Sequence, residues 1–279
     1  MEHNPIEPVM AVIAYVESHL NEHLNLETVA KEAHYSKYHL HRMFTAITGM
    51  TLHNYIRRRQ LTEGAKHLVF SEKSILEIAL TAGYESQQAF TDVFKSMYKQ
   101  TPLEYREKEN FYPLQLEFAL NSHPAPWDAM APTISYATFR DIPAWMEFIS
   151  LVIDGFPCFD EAEHIERLKR CVRHRQALIM KDNNVIAGAA AFSPGAGSID
   201  FFGVHPQYRR HGIAETLLDF LMCNVFTNQE ISITTFRQGD KADTGQRRMY
   251  QGLGFKESEL LTEFGYPAQR LILPPKRNA

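Results

Sequence analysis

Cysteine is scarce in this chain, and the three present, Cys158, Cys171 and Cys223, are an odd number without CxxC spacing. They support neither a disulfide framework nor a zinc site. No apolar run reaches the roughly 18 residues that a membrane span requires, and Met1 is not followed by the basic-then-apolar pattern of a secretory signal. These absences predict a cytoplasmic protein with no membrane partner and no metal. An excess of positive charge is missing too: residues 1–106 hold 11 Lys and Arg against 12 Asp and Glu, a net of −1, and the whole chain carries −4. A surface of that balance attracts phosphate backbones weakly. What is present is 44% apolar residues in a chain of 279, enough for two cores at the usual length of about 100 to 200 residues per domain.

The first 106 residues contain a helix-turn-helix pattern twice. Val29, Ala30, Ala33 and Tyr35 recur 49 positions later as Ile78, Ala79, Ala82 and Tyr84. After one extra residue, Glu85, the residues Ser36, Leu40, Phe44 and Tyr55 recur 50 positions later as Ser86, Phe90, Phe94 and Tyr105. Two such units in tandem read as a DNA-reading module. In the first unit Leu40, Met43, Phe44 and Ile47 form an i, i+3, i+4, i+7 stripe that buries one helical face, leaving Lys37, Tyr38, His41, Arg42 and Thr45 outward. The second stripe, Phe90, Val93, Phe94 and Met97, leaves Gln87, Gln88, Thr91, Asp92 and Lys95 outward. Ser36 and Ser86 stand where an N-cap accepts a free first-turn N–H.

These outward side chains suit base edges. Arg makes a bidentate contact to guanine, Gln does so to adenine, and a carboxylate accepts from cytosine N4. One such helix alone is equally a plain solvated face; the duplicated spacing favours double-stranded DNA as the partner. Lys37, Arg42, Arg57, Arg58 and Arg59 are expected to gather positive charge around the first reading helix and its successor. That successor, residues 51–68, follows Gly49 as a stop and carries Leu52, Tyr55, Ile56, Leu61, Ala65 and Leu68 at helical spacing. It predicts a strut of roughly 26 Å at 1.5 Å per residue, suited to setting two reading helices in successive major-groove turns about 34 Å apart.

Residues 24–106 resemble the AraC/XylS family DNA-binding domain. The resemblance is carried by Tyr35-Ser36-Lys37-Tyr38-His39-Leu40-His41-Arg42-Met43-Phe44, Tyr55-Ile56-Arg57-Arg58-Arg59, Gly83-Tyr84, Phe90 and the closing Pro102-Leu103-Glu104-Tyr105-Arg106. It implies that helices at 36–47 and 86–98 enter adjacent major grooves. The first brings Ser36, Lys37, Tyr38, His41 and Arg42 to the DNA, the second Ser86, Gln87, Gln88, Thr91 and Asp92. Asp92 departs from close relatives, which often carry a basic residue there.

Residues 107–132 lose periodicity, gain Pro113, Pro124, Pro126 and Pro132, and read as a linker with a short packed piece at 114–120. Strands are then expected at 133–139, 176–180 and 185–192, the last two joined by an Asp182-Asn183-Asn184 turn, with helices at 142–153 and 161–173. A strand at 198–204 ends in His205-Pro206 and leads through Gln207-Tyr208-Arg209-Arg210-His211-Gly212-Ile213-Ala214 into an amphipathic run at 215–226. Strand, donor-rich turn and helix N-terminus form an anion site, because free N–H groups and the helix dipole point at one place. Arg209 and Arg210 add charge, and pyrophosphate is the ligand that fits. Taken alone, Arg-x-x-Gly-x-Ala is equally a basic helix start.

In context this segment resembles the acyl-CoA-binding motif of the GNAT N-acetyltransferases, Gln/Arg-x-x-Gly-x-Gly/Ala. Arg248-Met249-Tyr250-Gln251-Gly252-Leu253-Gly254-Phe255, after a strand at 231–236, resembles that family's Tyr-x-x-x-Gly-Phe signature; the resemblance spans 133–273. It implies that backbone groups of Phe202, Gly203 and Val204 pair with the pantetheine arm of acetyl-CoA. Amides of Arg209, Arg210, His211, Gly212, Ile213 and Ala214 then hold its pyrophosphate, and Tyr250 is the general acid toward the departing thiolate. The plainer reading of Tyr250 is a core aromatic with a satisfied hydroxyl. Asp200 is a candidate base toward the amine, or an ordinary solvated carboxylate; Glu215 suits the first turn of a helix as charge alone. Where the family commonly has Asn and Ala before the Tyr, this chain has Asp243 and Gln246. Acceptor choice is expected from 154–160 and a tail hairpin at 256–273.

The expected architecture is two domains: an all-α double helix-turn-helix at 1–106, a linker at 107–132, and an α+β GNAT acyltransferase fold with a central mixed sheet at 133–279. The expected function is a transcription regulator whose C-terminal domain binds acetyl-CoA and acetylates an amine. One alternative is a non-catalytic acyl-CoA or small-molecule effector sensor controlling the regulator. Another is a plain acetyltransferase with a DNA-binding anchor.

Overall fold

Short polar residues start most of the helices in the first of two units. Among the described residues of the computed structural model (6–120, 133–152, 161–209, 211–263 and 265–275) this unit holds α1 (Ile6–Ser18), α2 (Leu26–Glu32), α3 (Lys37–Thr48), α4 (Leu52–Phe70), α5 (Ile75–Thr81), α6 (Gln87–Tyr98) and α7 (Pro102–Glu107). Asn25, Ser36, Thr51, Ser74, Ser86 and Thr101 each accept a first-turn backbone N–H at the head of α2 to α7, satisfying donors that the helix itself leaves without a carbonyl. Gly49, at φ 77°, stops α3 in the left-handed conformation that glycine adopts without steric cost. α3 buries Leu40 and Phe44, and α6 buries Phe90 and Phe94, as the duplicated stripe predicts. Around the second pair the core is aromatic, with Phe94, Tyr98, Tyr105 and Tyr112 at centroid distances of 4.3–5.7 Å.

The connecting helix α4 corrects one expectation. Arg58 is 0% and Arg59 7% exposed, so neither belongs to a basic surface around the reading helices. Arg58 donates to the Leu114 carbonyl at 2.5 Å. Arg59 forks onto the Glu17 carboxylate of α1, the closest contact being 2.7 Å, and donates to the Gln115 carbonyl at 3.1 Å. These guanidiniums are buried because each finds an anion or carbonyl to replace water. The packed piece expected at 114–120 reaches back to Tyr112. The amides of Leu114 and Gln115 donate to Thr62 Oγ1 at 3.0 and 3.2 Å, and Phe118 stacks on Tyr55 at 5.2 Å.

The second unit is a seven-stranded mixed sheet in the order β1-β2-β3-β4-β5-β7-β6. Its strands are β1 (Ile134–Tyr136), β2 (Ala177–Asp182), β3 (Val185–Ser193), β4 (Ser198–Val204), β5 (Ile231–Phe236), β6 (Lys256–Glu263) and β7 (Tyr266–Leu273). Its α-helices among the described residues are α8 (Ile142–Val152), α9 (Glu161–Arg173), α10 (Ile213–Asn224) and α11 (Gln246–Gly252). Every pairing is antiparallel except β4 with β5, which is parallel. α10 and α11 bury Leu217, Leu218, Leu221 and Tyr250 in one cluster with Leu178, Phe202 and Ile233, while Trp145 of α8 packs on Phe201 at 5.7 Å.

Candidate functional site

On α3 the side chains of Lys37, Tyr38, His41 and Arg42 are all exposed, Tyr38 by 75%. The Lys37 ammonium lies 5.8 Å from the Tyr38 ring centre, a cation–π spacing that orders both groups at the helix start. Gln87, Gln88 and Asp92 of α6 are exposed and Thr91 is half-buried. Ser36 and Ser86 spend their hydroxyls as caps, accepting from His39 and Ala89 N–H at 3.3 and 3.2 Å. Arg57 is half-buried with its Nη2 at 2.8 Å from His53 Nε2. Each reading helix therefore presents its N-terminal half outward, the part of such a helix that meets base edges.

In the second unit β4 and β5 pair only at Ser198 with Ser232 and Ile199 with Ile233. β4 continues to Val204, bonded on its other side to β3, so the edge bearing Phe202, Gly203 and Val204 faces the space between the parted strands. Unpaired backbone N–H and C=O groups of such an edge accept an extended partner carrying amides of its own. Gly212 caps α10 at φ 70°, and a Cβ placed there would meet nothing within 4 Å. Gly212 makes no side-chain cap to α10, so the first-turn N–H groups of that helix have no capping side chain from it. His211 and Gly212 are exposed, Arg209 is half-buried, and Ile213 and Ala214 turn into the core while their amides remain in that first turn. Arg210 lies outside the described residues, as do 154–160. Such a strand edge can pair with an extended chain carrying amides of its own, and the N-terminus of a helix favours an anion.

Three side-chain interactions at this loop escaped the sequence reading. His205 is 3% exposed; its Nδ1 accepts from Gln207 N–H at 3.2 Å, and burial with nearby Arg209 lowers its pKa to about 4. Tyr208 donates its hydroxyl to Asp182 at 2.8 Å, and burial with that carboxylate pushes the phenol well above its usual range. His211 Nδ1 donates to the Tyr208 carbonyl at 3.2 Å. Asp182 and Tyr208 are 26 positions apart, so no local pattern signals the pair.

Tyr250 is 4% exposed on α11, its ring 6.2 Å from Phe202 and 6.0 Å from Phe255. Asp243 accepts from Gly245 and Arg247 N–H at 2.9 and 3.4 Å, so the residue that departs from the family pattern holds the start of that helix. Arg247 is buried and ties α11 to the Phe236 carbonyl at 3.0 Å and to Glu257. Asp200 is exposed and accepts from Ser193 and Ser198 hydroxyls at 2.6 and 2.7 Å. It is the extra residue of a bulge, since Ala191 pairs with Phe201 and Phe192 with Ile199; such bulges re-aim side chains beside sites. Among the described residues no group of three or more His, Cys, Asp or Glu is placed to hold a metal, and no helix is long and apolar enough to cross a membrane.

A unit with two capped reading helices and a unit whose sheet parts above a glycine-started helix define a DNA-binding regulator module joined to an acyltransferase module. Residues 29–108 match a helix-turn-helix domain family, and residues 154–266 match the acetyltransferase (GNAT) domain family. The regulatory protein SoxS of Escherichia coli K12 is 41% identical over 108 residues, 39% of this chain and 99% of SoxS. The right origin-binding protein of the same strain is 40% identical over 119 residues, 40% of this chain and 41% of its own. A GNAT-family acetyltransferase structure from Bacillus cereus is similar at 17% identity and a TM-score of 0.42, over 53% of this chain and all of that one. The chain belongs to the AraC/XylS family of helix-turn-helix regulators and carries a GNAT acetyltransferase domain in its C-terminal half.

Proposed function

We propose that this chain is a cytoplasmic, sequence-specific transcription regulator whose C-terminal domain binds acetyl-CoA and transfers its acetyl group to an amine. The observation that supports the transfer most is the end of β4–β5 pairing at Ile199, next to an edge that includes Phe202, against whose ring Tyr250 packs. In this reading Phe202, Gly203 and Val204 receive the pantetheine arm, and the amides that follow Arg209, up to Ala214, receive the pyrophosphate; the Arg209 N–H itself is given to the Pro206 carbonyl at 3.4 Å. Acetyl-CoA supplies an activated thioester. The amine nitrogen bonds to the acyl carbon as the carbon–sulfur bond breaks; the amine loses a proton and the sulfur gains one. Tyr250 is the acid, because a phenol keeps its proton at neutral pH and is spent only as thiolate forms. Asp200 is the candidate acceptor of the amine proton, directly or through water.

The test is release of CoA thiol by the full chain from acetyl-CoA against a panel of primary amines. Amine-dependent release is expected, and Tyr250→Phe should lower it by about 100-fold or more with acetyl-CoA affinity nearly unchanged. Tight acetyl-CoA binding with no thiol release for any amine would move the domain to sensing. A Tyr250→Phe rate equal to the parent would remove Tyr250 as the acid.

A further inference from the structure

The two reading helices differ in charge: the first is cationic, while the opening turns of the second carry a carboxylate. α3 presents Lys37 and Arg42, while in the opening turns of α6 the exposed residues are Gln87, Gln88, Ala89 and Asp92, with a single negative charge, and Lys95 is exposed one turn further on. On α6, Gln88 Nε2 donates to Asp92 Oδ1 at 2.9 Å, one turn along the helix. A carboxylate accepts only, so the amide nitrogen must face Asp92 and the Gln88 Oε1 must turn away from it. An ionised carboxylate has about four acceptor sites, and one bond to Gln88 leaves capacity for a base. The bond biases both side chains toward this arrangement before DNA arrives, which trims the rotamer entropy lost on binding.

We infer that Gln88 and Asp92 act as one reading unit that selects, on one strand of the second half-site, a base bearing a major-groove amino group. Cytosine N4 and adenine N6 are the only donors on the major-groove edges; guanine offers O6 and N7 and thymine offers O4, all acceptors. Asp92 therefore attracts cytosine or adenine and repels guanine or thymine, so the discrimination comes from rejection as much as from attraction. Gln88, with its oxygen outward and one amide hydrogen remaining, has the donor–acceptor pair that adenine N7 and N6 require at the neighbouring position. The half-site under α3, met by Arg42 and Lys37, follows the opposite rule and suits guanine. The pair also makes the second half-site weak on arbitrary DNA, since a carboxylate near phosphates opposes the non-specific attraction.

This inference rests on the DNA-reading function of the N-terminal unit, and the experiment separates the two. The full chain is used to select duplexes from a randomised pool, and affinities are then measured on single-base variants of the selected site. The wild type should show one position in the second half-site where cytosine or adenine on one strand is preferred over guanine or thymine by about 5- to 150-fold. Asp92→Asn keeps an acceptor for Gln88 but loses the charge. It should bring that position toward parity while raising affinity for all duplexes. Asp92→Arg should turn the preference to guanine, and Gln88→Ala should relax only the neighbouring position. Base frequencies at every position unchanged between wild type and Asp92→Asn would overturn the inference, as would an equal loss of affinity on all sequences. A wild type that binds no duplex would remove the DNA-reading function, and this inference with it.

Discussion

Arg42 and Arg59 place the same side chain in opposite roles. Arg42 stands exposed on α3, where truncation changes stability by no more than about 0.5 kcal/mol. The Arg59 side chain is 8% exposed and paired to Glu17, itself 14% exposed; removing one partner of a buried pair strands the other and costs about 3 to 5 kcal/mol. Urea unfolding of the full chain should therefore show a large loss for Arg59→Ala and none for Arg42→Ala. Duplex titration should show the reverse: Arg42→Ala loses about 1 to 3 kcal/mol of preference at one base pair. An Arg59→Ala chain as stable as its parent would deny α4 this anchor. His205 gives a pH signature of known sign. Its folded pKa of about 4 lies below the ordinary 6.5, so the fold favours the neutral ring. That contribution is complete above pH 6.5 and is lost as pH falls toward 4, about 3 kcal/mol in all at 1.36 per unit. His164, also lowered to about 4 by burial and Arg167, adds a loss of the same sign. Denaturant melts of the C-terminal unit between pH 7 and 4 should fall steadily, and His205→Gln should flatten the profile without abolishing it. An identical slope in that variant would mean His205 is not held neutral.

The segment 112–118 behaves as an element although it has no regular structure. Thr62 Oγ1 accepts both the Leu114 and Gln115 amides inside the core, and each amide left without a partner there costs about 1 to 3 kcal/mol. Thr62→Val fills the same volume but accepts nothing, so it should destabilise the full chain by about 2 kcal/mol or more in urea, while Thr62→Ser stays close to the parent. Equal midpoints for Val and Ser would show that solvent already reaches those amides. This element also marks where sequence reading stops. The reading helices were legible because Ser36 and Ser86 cap them and the Leu40–Phe44 and Phe90–Phe94 stripes repeat; such signals act within a few residues. α4 buries residues around most of its circumference, so its Arg-Arg-Arg run gives no amphipathic contrast. Its partners, Glu17 and Leu114, lie 42 and 56 positions away. In the second unit the motif strand, its turn and α10 were readable in order, and the hairpin of β6 and β7 as well. The parting of β4 from β5 was not, because it depends on how two strands joined through α10 twist against each other. The 3-residue length of β1, shorter than the 133–139 expected, has a related cause: only Ile134, Ser135 and Tyr136 find partners on β2.

One chain holding a DNA-reading unit and an acyl-CoA unit is subject to a constraint that neither unit has alone. If acetyl-CoA changes operator affinity by some factor, the operator must change acetyl-CoA affinity by the same factor, because both describe one coupling free energy. A regulator with an effector domain should show a factor of about 5 to 150, whereas an acetyltransferase merely anchored to DNA should show a factor of one. Operator titrations of the full chain with and without saturating acetyl-CoA give one side of the cycle, and calorimetric acetyl-CoA titrations with and without operator give the other. Two equal factors above one are the expected result; two factors of one would assign the chain to anchored catalysis and leave gene control to occupancy of the DNA alone.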